Sequence, residues 1–291
     1  MQCLTLVVER SNMRQDYDNR RLYVRQSWLN DIVICPERAR FGLTKPEMRS
    51  GSDATIMGTA VHAGIEYVLG SATEVQLADM VEYTIGFFNA LKETESWKET
   101  NIDPEKYEIY IESMCTAWFN DIQPHVEFGG LIEHKFKTPL GIDVGGWEMW
   151  LEGTMDYVSP SGVVWDWKTA SRAYNIKEKQ STSIQASVYT LAVNNSTDNK
   201  FPLEFKYGVM VRQEKPKAQI ATIMRDTSHA AWLQQLVSSN VTMALTVGED
   251  KHWILNDTSA LCSEKWCSYW SICKGAYLTE TDLSPLSSNF S

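Results

Sequence analysis

The segment Leu151 to Thr169, LEGTMDYVSPSGVVWDWKT, carries the densest chemistry in this chain. Asp156 precedes a turn, SPSG, and Asp166 and Lys168 sit on the apolar run that follows it. Residues two apart on a strand project to the same face, so Asp166 and Lys168 point together. Two carboxylates converging beside one lysine can hold a divalent metal next to a phosphate. Hydrolysing a phosphodiester requires charge neutralisation, an activated water and a stabilised leaving oxygen, and divalent ions, often a pair about 3.5–4 Å apart, supply all three. Mg²⁺ or Mn²⁺ is therefore the expected cofactor, with oxygen ligands. Asp156 and Asp166 would flank the metal, and the backbone carbonyl of Trp167 would add a ligand. Lys168 would orient or deprotonate the attacking water, or stabilise developing charge. Each residue also has an ordinary explanation: carboxylates around a turn are common, and a strand lysine is usually solvated.

Three further features converge on the same chemistry. Gly58-Thr-Ala-Val-His62 puts a histidine one turn into a helix, where its imidazole can complete a metal site. Glu133 lies in the strand run ahead of Asp156 and is a candidate further acid near the metal. Gln185 and Tyr189 are four apart, hence on one helix face, placed to hold a phosphate or the lysine strand. Alone, His62 reads as a packed or surface histidine and the Gln–Tyr pair as plain helix residues.

The elements that must position these residues follow from period and punctuation. The first 20 residues read as loosely ordered, and Ser27 opens a helix, SWLNDIVICPERARF, within which Pro36 can start a new turn or helix. Lys45 to Thr55 reads as a loop and Thr59 to Leu69 as a helix ended by Gly70. Residues 71–123 form a helical insertion, its patterns carrying apolar residues at three- and four-residue steps. After Pro124 short strands are expected in VEFGGLIEHKFKTPL, WEMWLEGTMDYVS and GVVWDWKT. A helix over Gln180 to Val193, a second hairpin with Pro216 in its turn, and an amphipathic helix over Ser228 to Val247 complete the pattern. The fold class is α/β: a mixed central sheet flanked by helices, in a single domain over residues 1–291, with a flexible tail at 280–291.

Six cysteines are present, three of them crowded as Cys262-x4-Cys267-x5-Cys273. That spacing can wrap one metal centre, and thiolates favour zinc or iron–sulfur. Cys35 is the candidate fourth ligand, while Cys3 and Cys115 read as plain small residues. Trp266, Tyr269 and Trp270, interleaved with the late cysteines, are expected to pack around that centre rather than stack on bases.

The balance of 27 basic to 37 acidic residues gives a net charge of −10, which argues against a general polyanion binder. A DNA enzyme needs only a locally positive groove, and seven Lys or Arg against four acids between Arg14 and Lys45, with four against one between Lys206 and Lys217, fit that better. No apolar run reaches the roughly 18 residues of a membrane span, and the N-terminus does not resemble a secretory signal, so a cytoplasmic protein is expected.

Together these motifs resemble the RecB-like branch of the PD-(D/E)XK nucleases. That family shows, in order, a G-x-x-x-H helix, an upstream Glu, a G-x-x-D strand, a D-x-K strand and a Q-x-x-x-Y helix. Here these are Gly58 to His62, Glu133, Gly153 to Asp156, Asp166 to Lys168 and Gln185 to Tyr189, covering about residues 55–190. The resemblance implies a restriction-endonuclease-like core. It implies His62, Asp156 and Asp166 as metal ligands, Lys168 as the catalytic lysine, and Gln185 and Tyr189 as support for the site or DNA. Several relatives carry one early cysteine and three late ones that bind a 4Fe–4S cluster. By that resemblance Cys35, Cys262, Cys267 and Cys273 would form an iron–sulfur clasp, joining residues 25–45 to 255–278, although the first late gap departs from the C-x2-C-x5-C spacing commonest there. The expected activity is a DNA exonuclease acting on single strands or free ends for recombination, repair or spacer capture, as in similar stand-alone members from phages and CRISPR-associated systems. A structure-specific endonuclease or nickase with the same site, and a non-catalytic DNA-binding protein with a structural metal centre, are the rival readings.

Overall fold

The structure is a computed structural model and describes residues 13–274 except 50, 96 and 101. The expected flexible tail and Cys3 lie outside the described residues. The described chain enters through a hairpin, β1 (Met13–Asp16) and β2 (Arg21–Arg25), so this stretch is strand rather than loosely ordered. The helix expected from Ser27 onward is two, α1 (Gln26–Ile34) and α2 (Pro36–Thr44). Cys35 breaks them: a residue before proline is pushed out of helical conformation, and Cys35 is extended at φ −160°. Pro36 then opens α2, where its missing N–H costs nothing.

β3 (Gly51–Ser52) leads into α3 (Asp53–Gly70). This helix starts before the expected Thr59 because the Ser52 hydroxyl accepts the Thr55 N–H and caps it. α4 (Leu77–Thr94), β4 (Trp97–Lys98, paired with β3) and α5 (Tyr107–Ala117) fill the insertion. Next come β5 (Leu131–Val144), β6 (Trp147–Val158) and β7 (Val164–Ala170). The helix expected over Gln180 to Val193 is again two, α6 (Ile176–Thr182) and α7 (Ile184–Ser196), with Ser183 capping the second. β8 (Leu203–Val211), β9 (Ala218–Arg225), α8 (Thr227–Val247) and a last turn, α9 (Trp270–Cys273), follow.

The central sheet has seven strands in the order β1-β2-β6-β7-β8-β9, with β5 paired to β6 as well. β2–β6 and β7–β8 are parallel and the other pairs antiparallel, so the sheet is mixed. On one face α1, α7 and α8 bring Trp28, Val188 and Val237 onto Leu22, Leu151 and Val209. On the other, α3 to α5 bring Val61, Phe88 and Met114 onto Trp165, Trp167 and Met210. Each such side chain contributes about 1.5–3 kcal/mol by leaving water, so both helical layers are held firmly to the sheet.

One feature of the pairing creates a cleft. β6 gives one edge wholly to β5 and divides the other. Glu148 to Glu152 pair there with β2, while only Tyr157 and Val158 pair with β7. Residues 153–156 of that edge face a fork between the two neighbouring strands.

Candidate active site

Asp156 stands at this fork. Because β6 and β7 part after two pairs, the amide of Trp167 has no carbonyl of β6 to bond, and it donates to Asp156 Oδ2 at 2.8 Å. Asp166 and Lys168 lie on β7 on the side of α7, as their spacing predicts, and Lys168 Nζ is 2.5 Å from Asp166 Oδ2. The Trp167 side chain between them faces the opposite layer, edge-on to Trp118 at 5.9 Å. Asp166 is 1 % exposed, yet Oδ2 has no hydrogen bond and meets only the lysine. Gln185, at the start of α7, donates to Asp166 Oδ1 at 2.6 Å and to the Tyr189 hydroxyl at 3.3 Å.

His62 arrives from α3, with Nδ1 3.5 Å from Asp156 Oδ2. Gly58 lets the helix come this close. A Cβ there would stand 2.8 Å from Thr169 Oγ1 on β7, inside any normal contact. Gly58→Ala should therefore displace α3, at a cost of about 1–3 kcal/mol, and pull His62 from the fork. Thr169→Ala removes the obstructing oxygen and leaves its Cβ at 4.0 Å, an ordinary contact. The double variant should thus recover stability and activity that Gly58→Ala alone loses, a coupling readable by thermal melts and turnover in one double-mutant cycle. Simple addition of the two single effects would sink this account.

The electrostatics describe a site with too much negative charge. Burial pushes the carboxyls of Asp156 and Asp166 up to about 6, against the opposing pull of Lys168. Glu133, held at a strained φ of 47°, is pushed up to about 7 by partial burial, then Glu66 and Asp166. Glu66 is raised by burial and by Asp156. Burial and the charge of Lys168 push His62 down to about 4, so its ring is neutral at pH 7 and free to donate a lone pair. Burial works against the charge of Lys168, but Asp166 and Asp156 outweigh it and hold the ammonium well above its ordinary range.

Four carboxylates against one lysine suit a divalent cation, and Asp166 Oδ2, met only by Lys168, is an oxygen such an ion could take. Among the described residues no three His, Cys, Asp or Glu side chains close on a point as an all-protein cage would. Magnesium does not need one: it keeps several waters and takes one or two carboxylates plus substrate oxygens. Carboxyls whose folded pKa is raised bind extra protons when folded, so their contribution is full below about pH 4 and is lost as pH rises through about 6 to 7. His62 opposes this between about pH 4 and 6.5 but is one group against three. The rise in melting temperature on adding Mg²⁺ should thus grow from pH 5 to pH 8. A rise independent of pH would show that these carboxylates do not hold the ion.

The structure adds residues that the sequence reading missed. Glu66, one helical turn after His62, shares its face, a spacing that alone could have flagged it. Tyr207 on β8 donates to Gln185 Oε1 at 3.4 Å and bonds Ser183 Oγ at 2.7 Å. Arg225, 2 % exposed and without a carboxylate, donates to the carbonyls of Gln180 and Ser183 and to Ser187 Oγ. It thereby fixes the α6–α7 break that aims Gln185 at Asp166. Nothing local in the sequence marks Tyr207 or Arg225, because both act across the sheet. Glu152 lies outside the site, paired with Arg14 and Arg25.

The other grouping joins the chain's ends. Cys35, Cys262, Cys267 and Cys273 are all free thiols and line one cavity between α2 and the C-terminal segment. Burial pushes Cys273 up to about 11, with Glu37 and the other three thiols adding to the shift. Among the described residues these thiols do not form a group that could hold a metal ion as they stand. Cys115 is buried against Thr84, a small packed residue. Tyr269 stacks on Phe41 at 5.4 Å, while Trp266 is 57 % exposed. Packing thus accounts for Tyr269 but not for Trp266.

The sheet fork brings Asp156 beside a D-x-K strand, under a helix that delivers a histidine. The chain belongs to the PD-(D/E)XK nuclease superfamily, whose sequence pattern it matches over residues 26–274. Nucleases of this superfamily generally use Mg²⁺ or Mn²⁺ and act on DNA. The fold is shared with a protein from Eubacterium rectale named as a candidate exonuclease, at 15% identity and a TM-score of 0.55, covering 90% of this chain and 92% of that one. The protein SSO0001 aligns at 13% identity and a TM-score of 0.34, covering 74% of this chain and 94% of that one. No curated protein matches the sequence. Among the described residues no helix is long and apolar enough to cross a membrane.

Proposed function

We propose that this chain is a DNA exonuclease of the RecB-like type, which hydrolyses phosphodiester bonds from free ends and serves recombination, repair or spacer capture. The observation that carries the reading is the meeting of His62 from α3, Asp156 from β6, and Asp166 and Lys168 from β7 at one fork. Asp156 and Asp166 would hold Mg²⁺ or Mn²⁺, with neutral His62 and the Trp167 carbonyl as further ligands. The ion, when bound, supplies Lewis acidity and an ionised water. Lys168 orients that water or meets charge developing on the phosphate, and its side chain, 31 % exposed, is within reach of a substrate. Glu133 would be a further acid near the metal, and Glu66 shares its electrostatic surroundings. Gln185 and Tyr189 keep Asp166 in position. The name of the Eubacterium rectale protein supports the exonuclease reading.

Four free thiols around one cavity, drawn from both ends of the chain, support a 4Fe–4S cluster held by Cys35, Cys262, Cys267 and Cys273. Its role is structural, closing a loop from residue 35 to residue 262 whose entropy would otherwise favour the open chain.

The test is digestion of end-labelled single strands and linear duplex beside covalently closed circles, with Mg²⁺ or Mn²⁺. Linear DNA should shorten from its ends while circles survive, and Asp166→Ala should abolish digestion. Cleaved circles would make the protein an endonuclease. Binding without cleavage under either metal would overturn the enzymatic reading.

A further inference from the structure

The outward residues of β1, β2, β6 and β5 form one sheet face beside the fork. The register places Arg14, Arg21, Arg25, Lys135 and Lys137 there, over Tyr23 and Trp150. Contacts confirm the shared face: Arg14 lies 4.1 Å and Lys137 5.3 Å from the Tyr23 ring centre, and Arg21 lies 4.5 Å from that of Trp150. No described helix covers this face. The packing of α1, α7 and α8 takes the alternate residues Leu22, Val24, Met149 and Leu151. The layer of α3 to α5 takes nothing from β1 or β2, and only Tyr157 from β6.

The charge on this face has the opposite sign to the chain. Five cations stand against four carboxylates, Asp16, Asp143, Glu148 and Glu152, on a protein of net charge −10. Glu152 is nearly buried and held by Arg14 and Arg25, and Glu148 by Arg21. Arg14 and Arg21, laid over the Tyr23 and Trp150 rings, also donate to Glu152 and Glu148, so the cations of this face most open to a phosphate are the exposed Lys135 and Lys137. The stripe also leads to the fork. Lys135 pairs opposite Thr154, two residues or about 7 Å from Asp156, and its charge acts on Glu133 inside the site. Lys135 and Lys137 are themselves about 7 Å apart along an exposed strand, on the order of the phosphate step of an extended single strand.

We propose that this open face is the track along which the phosphates of one DNA strand run into the fork. The inference rests on the nuclease reading above and adds to it the route and the contacting residues.

Anisotropy of a labelled oligothymidylate, measured over a KCl series with Ca²⁺ in place of Mg²⁺, tests it. Each lost phosphate contact on a single strand removes about 0.7 from the slope of log affinity against log salt. Lys135→Ala with Lys137→Ala should lower that slope by about 1.4 and weaken binding on the order of tenfold near 0.1 M salt. Both lysines are exposed, and an unchanged near-ultraviolet circular dichroism spectrum confirms the fold. The same two charges removed elsewhere, as Lys92→Ala with Lys251→Ala, should leave the slope in place. An unchanged slope in the first variant, an equal fall in both, or no measurable binding by a wild type that degrades DNA overturns the track alone. A wild type that neither binds nor degrades DNA overturns the nuclease reading and the track with it.

Discussion

Lys168→Ala is expected to lower the rate of hydrolysis by about 10²–10⁴-fold at saturating metal, the range for losing a positioned proton donor or a charge-stabilising group. The expectation rests on position. Nζ sits 2.5 Å from Asp166 Oδ2, inside the field of Asp156, and the side chain is 31 % exposed toward the fork. The same contact makes the lysine a competitor for the carboxylate that a metal would use. Alanine at 168 should therefore leave the affinity for Mg²⁺ unchanged or tighter, by titration calorimetry, while turnover collapses. A purely structural counterion predicts the reverse: weaker folding, with turnover intact once metal saturates. That reverse pattern would remove Lys168 from the chemistry.

The legibility of this site in the sequence has a physical limit. Spacings within one element could be read directly. Asp166 and Lys168 share a face because a strand has period two, and Gln185 and Tyr189 do because a helix has period 3.6. The four cysteines stood out by type and crowding. What could not be read was set by pairing between distant segments. β2 inserts in parallel beside Glu148 to Glu152, some 127 residues away in sequence, and that insertion opens the fork at Asp156. A five-residue strand among charged neighbours gives no sign of that partner. The helix break at Ser183 was hidden for a related reason, whereas Pro36 marked the one at Cys35. Apolar periodicity runs through both, and the break is enforced by Pro36 in one case and by Arg225, reaching across from β9, in the other. The open sheet face beside the fork is likewise a product of register, and its five cations come from three strands.

Replacing Glu37 with alanine is expected to cost about 3–5 kcal/mol, the usual penalty for breaking a buried ion pair and stranding its partner. Glu37 is 1 % exposed and accepts from Arg40 at 2.5 and 2.8 Å and from the Trp253 amide at 2.7 Å, with His252 Nδ1 at 2.8 Å. Burial alone would raise its carboxyl, but these donors outweigh it and hold the group below its ordinary value. Its contribution is therefore present above the usual glutamate pKa and lost as pH falls through the lower folded value. Around it, the amide of Glu37 donates to the Ile254 carbonyl, Arg40 to that of Glu249, and Asn256 to that of Ile34. The C-terminal segment is thus bound to α1 and α2 by a polar hub that involves no cysteine. At about 2–4 °C per kcal/mol for a domain of this size, Glu37→Ala should melt roughly 6–20 °C lower. Two fasteners side by side make a second expectation. With the proposed cluster bound, Cys267→Ala should release iron yet lower the melting temperature only in part, and Glu37→Ala should retain iron in the folded state while melting early. If loss of iron alone unfolds the C-terminal segment, the hub is too weak to hold the chain's ends together, and the cluster carries the closure by itself.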